Sequence, residues 1–450
     1  KTHFLLELIQ NAEDNEYSKE PRLKIKLLKK DPTGTCQSDG AILIQNNEKG
    51  FTEENMDALC ALGKTTKTKI SGYIGEKGIG FKSVFVITTS PYIFSKGYYV
   101  RFPEKIKHLD LGYIIPEWVE EIPKIVDTSQ TNIILPLDKA DKMDFKSISN
   151  MMREFTPETI LFLNKLTTLN LTIEDEYNIE ITKVTNKDNL VTLIRKGLDG
   201  EKEIDESDSY LLYSKTYKIP SDLEETERKG INDSTISLAF PVNKRINQCA
   251  LYAYLPVWDN TGLPFIINAD FLLTSSRTDV YEEKEWNFWL RDQIVDLFIS
   301  ALDDMVKNPA YIYRVLNYIP LHTDNKFLSP MIDCILSKLK DKYIIATEPD
   351  NKLVQPKDAH KSFKFRNLLD RKIYPEALIN NRLIRQEIQE QSLSKVWDKL
   401  GIKSLDRDVK IACFKDKKWI GKHNFEWILE SYAYLKEEKF EKEILRECPI

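Results

Sequence analysis

In the stretch ELIQNAEDN, residues 7–15, an acid, an amide and a second acid recur at spacings of four and three. At roughly 100° per residue, Glu7, Asn11 and Asp14 fall within an arc of about 60° on a helix. Leu5, Leu8, Ile9 and Ala12 lie across the axis, and Phe4 and Leu6 flank the polar row. The row lacks the Lys or Arg partners at helical spacing that an exposed face usually carries. An acceptor-rich strip partly enclosed by apolar neighbours can hold a cation and a water molecule. A solvated face is the plainer alternative.

A second stretch, GEKGIGFKS, places Gly75, Gly78 and Gly80 ahead of an apolar run. Glycines let the backbone turn tightly and present N–H groups at the start of a helix, a combination that binds anions. The string is no P-loop, because Phe81 separates Gly80 from Lys82, and its glycine order differs from that of a dinucleotide fingerprint. Alone it is equally consistent with a tight turn that binds nothing.

The elements that must hold these stretches are legible from period and turn signals. Residues 1–20 read as an amphipathic helix, and the runs RLKIKLLKK and AILIQNN, separated by DPTGTCQSDG, predict a hairpin. GFTEENMDALCALG predicts a short helix with Thr52 as N-cap and Glu54 nearby. The polar KTTKTKIS reads as a mobile loop, and Phe81, Val84, Phe85 and Thr88 then recur at helical spacing. Strands YIFSK, YYVRF and TNIILPL complete a first unit, whose order predicts an α+β sandwich and not a doubly wound sheet. From about 165 to 275 strand signals dominate, with the charged GLDGEKEIDESDS read as a solvated loop. Beyond 284 the pattern turns helical, Trp286, Leu290, Ile294, Leu297 and Met305 forming a core stripe and Trp289 packing beside Trp286.

Bulk properties narrow the classes. At 450 residues the chain predicts about three domains. Its 65 basic and 70 acidic residues give a net charge of −5, so no overall field favours nucleic acid or anionic lipid. The six cysteines form no CxxC pair, which argues against a zinc ribbon or disulfide framework and for a reducing, intracellular compartment, cytoplasmic or nuclear. The five histidines lack metal-ligand spacing. No signal peptide is legible, and no apolar run approaches the ~20 residues that span a bilayer. The sequence opens directly on its amphipathic helix, which reads as a segment of a longer protein.

Taken in order, the acid/amide helix, the acceptor-bearing turn NNEKGF, the Lys/Thr loop and GxxGxG resemble the GHKL ATPases. That superfamily includes gyrase, the ninety-kilodalton heat-shock chaperones, histidine kinases and MutL. The wording HFLLELIQNAEDN, GEKGIGFKSVF and INADFLLTSSRTDV, with LGIKSL and WILESYAYL near the end, is similar to the sacsin and NO VEIN type. The resemblance implies a GHKL (Bergerat) sandwich at 1–165, a middle-type α/β transducer domain at 166–283 and a mostly helical region at 284–450.

The resemblance also implies roles. The acid Glu7 would orient or activate the attacking water, Asn11 would ligate Mg²⁺, and Asp14 would line the same pocket around ATP. The family's adenine-reading turn, an Asp followed by two alternate glycines, matches Asn46, Glu48 and Gly50 here, a departure at the first two positions. An Asn carbonyl still accepts from the adenine amino group, whereas its NH₂ cannot. Lys67 matches a lid lysine, Gly75, Gly78 and Gly80 the phosphate loop, and Thr131 the threonine of the last nucleotide-site strand. Arg277 matches an arginine that reaches the γ-phosphate. A salt bridge to Asp270 or Asp279 is its structural alternative.

The implied activity is slow Mg²⁺-dependent hydrolysis of ATP to ADP and phosphate, driving chaperone-like change toward an unidentified protein client or a second copy of the chain. The rival is a nucleotide-gated or nucleotide-free interaction scaffold, with Asn46 and Glu48 marking decay of the adenine pocket. A histidine kinase is disfavoured, because no phosphoacceptor helix precedes the unit and His3 lies inside the acid/amide helix.

Overall fold

A computed structural model describes residues 3–35, 38–60, 80–103, 114–138, 144–243, 249–258, 260–274, 278–370, 373–379, 381–389, 393–440 and 446–448. The chain divides into two compact units. The first comprises 1–245, 251–258 and 267–280, and the second 246–250, 259–266 and 281–450.

The first unit opens on α1 (His3–Asp14). Phe4, Leu5, Leu8, Ile9 and Ala12 of α1 are all at most 4% exposed. Burying its four large apolar side chains contributes on the order of 6–12 kcal/mol before the entropy of ordering them. The helix is shorter than the 1–20 expected. Asn15 N–H returns to Ala12 O at 3.2 Å and the Tyr17 hydroxyl donates to the same oxygen at 2.5 Å, so the chain turns out of the helix.

Two strands follow, β1 (Arg22–Leu28) and β2 (Ala41–Asn46), in the antiparallel hairpin expected from their turn signals. In α2 (Glu53–Cys60), Thr52 caps Asn55 N–H at 3.3 Å while the Asn55 side chain accepts from Thr52 N–H at 2.9 Å. The capping box is therefore closed by Asn55 and not by Glu54. The apolar helix expected after Gly80 is a 3₁₀ segment, Gly80–Val86. Val84, Phe85, Val86, Ile87, Thr88 and Thr89 are β-branched or aromatic, lose side-chain freedom in an α-helix and precede Ser90 and Pro91. Val84 and Thr88 are nonetheless fully buried, and α1 lies against this segment.

Strands β3 (Tyr92–Ser95) and β4 (Tyr98–Arg101) form a tight hairpin with Lys96 at φ +46° and Gly97 at φ +91°, the two positive values a two-residue type I′ connection requires. After β5 (Glu117–Trp118), β6 (Thr131–Pro136) pairs antiparallel with both β2 and β3. Helix α3 (Phe145–Arg153), capped by the Asp144 side chain on Ser147 N–H, leads into β7 (Thr168–Ile173), which runs parallel to β1.

Strands β8 (Tyr177–Thr185), β9 (Leu190–Asp199), β10 (Lys202–Lys218), β11 (Asp233–Pro241), β12 (Leu251–Ala253), β13 (Leu255–Trp258) and β14 (Ile266–Asn268) extend the same layer. Among the described residues they make one fourteen-stranded sheet, in the order β13-β12-β14-β11-β10-β9-β8-β7-β1-β2-β6-β3-β4-β5. The class is α+β, and one sheet holds strands from both sides of residue 165, because β7 pairs with β1.

The charged run expected to be a solvated loop is instead the tip of the β9–β10 hairpin. Its charges pair across the two strands, Arg195 with Glu206 at 3.2 Å on one face and Lys196 with Asp205 at 3.3 Å on the other. Buried Ile204 and Tyr210 keep the strand's other contacts apolar. Net charge in a segment does not exclude a strand when ladders on both sides satisfy its backbone.

The second unit is mostly helical, with short strands added. Its helix α4 (Glu285–Met305) buries Trp286, Leu290, Ile294, Leu297 and Met305, the expected stripe, and Trp286 packs on Trp289 with ring centres 5.3 Å apart. A further core gathers Phe365, Phe414, Trp419 and Tyr434. Among the described residues no helix is long and apolar enough to cross a membrane.

Candidate functional site

The polar row of α1 is not a solvated face. Glu7 is 5% and Asp14 6% exposed, and Asn11 is half-buried. Glu13, on the same helix, is 2% exposed and accepts three backbone N–H groups, from Asn164 at 2.6 Å, Lys165 at 2.9 Å and Leu166 at 2.9 Å. It ties α1 to the segment entering β7. Lys183 of β8 donates to Leu163 O in the same place. Burial pushes its amine below the usual lysine range, against the pull of Glu13.

The exit of α1 meets the turn after β2. Tyr17, which donates to Ala12 O, has the Asn46 side chain, Glu48, Glu13 and Asp14 close enough to act on its phenol. Burial is the main cause that raises the Tyr17 phenol far above its ordinary range, so it stays neutral. The turn is stitched down by Lys49, whose N–H reaches Glu16 O at 2.9 Å and whose ammonium reaches Glu16 Oε2 at 2.9 Å. Asn47 adds bonds to Arg22 N at 2.8 Å and to Glu20 O at 2.8 Å.

These bonds hold the turn that carries Asn46. Asn46 Oδ1 is buried and accepts from no group among the described residues. A buried acceptor left unpaired costs about 1–3 kcal/mol. An orphaned oxygen of that kind fits a ligand N–H, the chemistry of a base edge.

Asn46 faces Thr131 across the β2–β6 pair. Phe51 N–H donates to Ser95 Oγ at 2.9 Å, Ser95 Oγ lies 2.5 Å from Thr131 Oγ1, and Thr131 Oγ1 donates to Glu48 Oε1 at 2.5 Å. Because an ionised carboxylate can only accept, Thr131 gives its single proton to Glu48 and so accepts from Ser95, which in turn accepts from Phe51 N–H. Glu48 also accepts from Gly50 N–H. Burial raises the Glu48 carboxyl above its ordinary 4.5, while the Thr131 hydroxyl, the Gly50 amide and Lys96 pull it back.

Two predictions arise here. Gly50 has φ +87°, and a Cβ on it would lie 2.7 Å from Lys96 Cβ. Gly50→Ala is therefore expected to destabilise the protein by about 1–3 kcal/mol, read from its denaturant midpoint. For Glu48 the folded value is raised, so the stability linked to its proton is fully present below about pH 4.5 and lost as pH rises through the folded value. Glu48→Gln, neutral at all pH and able to accept from Thr131, should melt above wild type at pH 7. That advantage should shrink to nothing below about pH 4.5.

Glu7, Asn11 and Asp14 thus lie on one helix. Asn46, Glu48, Gly50 and Thr131 form one wall, and Tyr17 joins the two groups. Gly80 begins the 3₁₀ segment against α1. Lys67, Gly75, Gly78 and Arg277 lie outside the described residues. Around Arg277 the chain closes on itself, with Leu273 bridged to Val280 and Thr274 N–H to Asp279 O at 2.9 Å. Of its alternative partners, Asp270 takes Arg228 at 2.8 Å and Asp279 takes Trp258 Nε1 at 2.7 Å.

Sequence reasoning missed Tyr17, Ser95 and Glu13. Tyr17 and Glu13 carry no motif, and their partners are set by tertiary contacts. Ser95 shares a two-residue hairpin with Lys96-Gly97, a signal that could have placed it at the mouth of the turn.

Residues 1–114 match the family model of the Sacsin domain. Over 387 residues the chain is 32% identical to Protein NO VEIN of Arabidopsis thaliana, an alignment that covers 78% of this chain and 13% of that protein. The chain thus spans about an eighth of the length of this relative. Among solved structures it is similar to the ATPase region of Saccharomyces cerevisiae topoisomerase II. There the identity is 11%, 68% of this chain and 82% of that chain are covered, and the TM-score is 0.33. For the B-subunit of DNA gyrase from Myxococcus xanthus the figures are 9%, 67%, 89% and 0.33.

Proposed function

Taking the sacsin-type match as premise, we propose that residues 1–165 are a Mg²⁺-dependent ATP-binding domain of the GHKL kind. Residues 166–283 then act as its transducer and 284–450 as a helical extension. The observation that supports this reading is the buried, unpaired Asn46 Oδ1 beside the polar row of α1. Asn11 would hold Mg²⁺ through its amide oxygen, a hard ligand that such a metal accepts alongside phosphate and water. When bound, the metal offsets charge on the triphosphate.

The backbone N–H groups of Gly75, Gly78 and Gly80 would cradle phosphate oxygens, with Lys67 and Arg277 as cations on the same group. Glu7 would take the proton of a water whose oxygen attacks the γ-phosphorus as the bond to the ADP oxygen breaks. Turnover would be slow and would drive a chaperone-like change toward a protein partner or a second copy of the chain. A second reading, an intracellular interaction scaffold that binds nucleotide without turnover or not at all, draws on Glu48, whose carboxylate occupies the Thr131 hydroxyl.

Calorimetry with Mg²⁺ and ATP on wild type and on Asn11→Ala tests the first reading. Saturable heat in wild type, weakened about 100-fold in the variant, is expected. Absence of heat in both, with ATP and with GTP, would sink it.

A further inference from the structure

We infer that Glu48 sets the base preference of the site, turning it from adenine toward a purine that presents two adjacent donors, the guanine edge. The inference rests on the nucleotide reading above and specifies its ligand.

Three hydrogen-bonding positions line this wall, and bonds already made fix the roles of two. Asn46 Oδ1 is buried and accepts from no described group, so it stands ready to accept from a ligand. Thr131 gives its proton to Glu48, because an ionised carboxylate only accepts, and it therefore faces any ligand as an acceptor. The third, the Glu48 carboxylate, accepts from Gly50 N–H and Thr131 Oγ1–H. An ionised carboxylate has about four lone-pair positions, so acceptor capacity remains. At Thr131 and Glu48 the wall therefore offers acceptors side by side and no side-chain donor.

Adenine presents a donor, its N6 amino group, next to an acceptor, N1. One of the two would meet a like group here. Guanine presents O6, N1–H and its N2 amino group in a row: the two adjacent donors find acceptors at Thr131 and Glu48, and the amide of Asn46 can serve O6. Sites built to pair a specific polar edge discriminate strongly against an analogue that leaves a buried group unpaired. With glycine at position 48 the Thr131 hydroxyl would be released to donate, and the adenine pattern of one acceptor beside one donor would return. Glu48 is thus a specificity-determining residue and not a mark of decay.

The test is the ratio of affinities. Kd values for GTP and ATP, each with Mg²⁺, are measured on wild type, Glu48→Gln and Glu48→Gly, with melting curves confirming that each variant folds. Glutamine keeps an acceptor for Thr131 and adds an NH₂ donor that can face adenine N1. Wild type is expected to bind GTP at least about 10-fold more tightly than ATP. Each variant should move that ratio toward ATP by about 10-fold or more. A ratio that favours ATP in wild type, or that is unchanged in both variants, would overturn the role of Glu48 while leaving the nucleotide site standing. Failure of every form to bind either nucleotide would overturn the nucleotide reading, and this inference with it.

Discussion

An Asn46→Leu variant is expected to bind nucleotide about 10- to 100-fold more weakly than wild type while melting at the same temperature or above it. The two effects have one cause. Asn46 is 5% exposed and holds an acceptor that no described group satisfies, so leucine of similar volume removes an unpaired polar atom from a buried place. Tyr17 keeps its bond to Ala12 O at 2.5 Å. Stability therefore holds or rises. A base whose N–H pointed at Oδ1 would instead be left unpaired, at about 1–3 kcal/mol. Calorimetry and a melting curve on the same sample check both halves. An asparagine kept only for packing would show the reverse, unchanged binding with a lowered melting temperature.

Glu13→Ala is expected to destabilise the protein by about 3–5 kcal/mol. Glu13 sits 2% exposed and gathers the N–H groups of Asn164, Lys165 and Leu166 within 2.9 Å. Alanine leaves three backbone donors without that acceptor and removes the charge that supports the buried Lys183 ammonium. Glu13→Gln should lose less, since one amide oxygen still accepts, but its NH₂ would face donors. Denaturant midpoints report the difference, and a loss below 1 kcal/mol for the alanine variant would show that water replaces the carboxylate. The bond also bears on function. Glu13 is one residue from Asp14 and two from Asn11, so loosening it should weaken Mg²⁺-dependent binding together with the fold.

The sequence made some of this legible and hid the rest for identifiable reasons. The face of α1 was readable because helical period is local, and its apolar positions, Leu5, Leu8, Ile9 and Ala12, are all buried. The β1–β2 hairpin and the strands after Ser90 were readable for the same reason. The β9–β10 hairpin was not, because ion pairs such as Lys196–Asp205 stabilise it only once the register is known. Glu13 gave no signal, since its acceptor role depends on amides about 150 residues away. Glu48 was legible as a departure from the family's glycine, but its bond to Thr131 depends on β6 lying beside β2.

The central claim, that a nucleotide seats between α1 and the turn after β2, is tested most directly by backbone amide hydrogen exchange with and without saturating Mg²⁺ and purine nucleoside triphosphate. Slowed exchange confined to α1, to residues 46–51 and to β6 is the result the account predicts. Unchanged exchange in all three, under conditions where nucleotide is demonstrably bound, would contradict it.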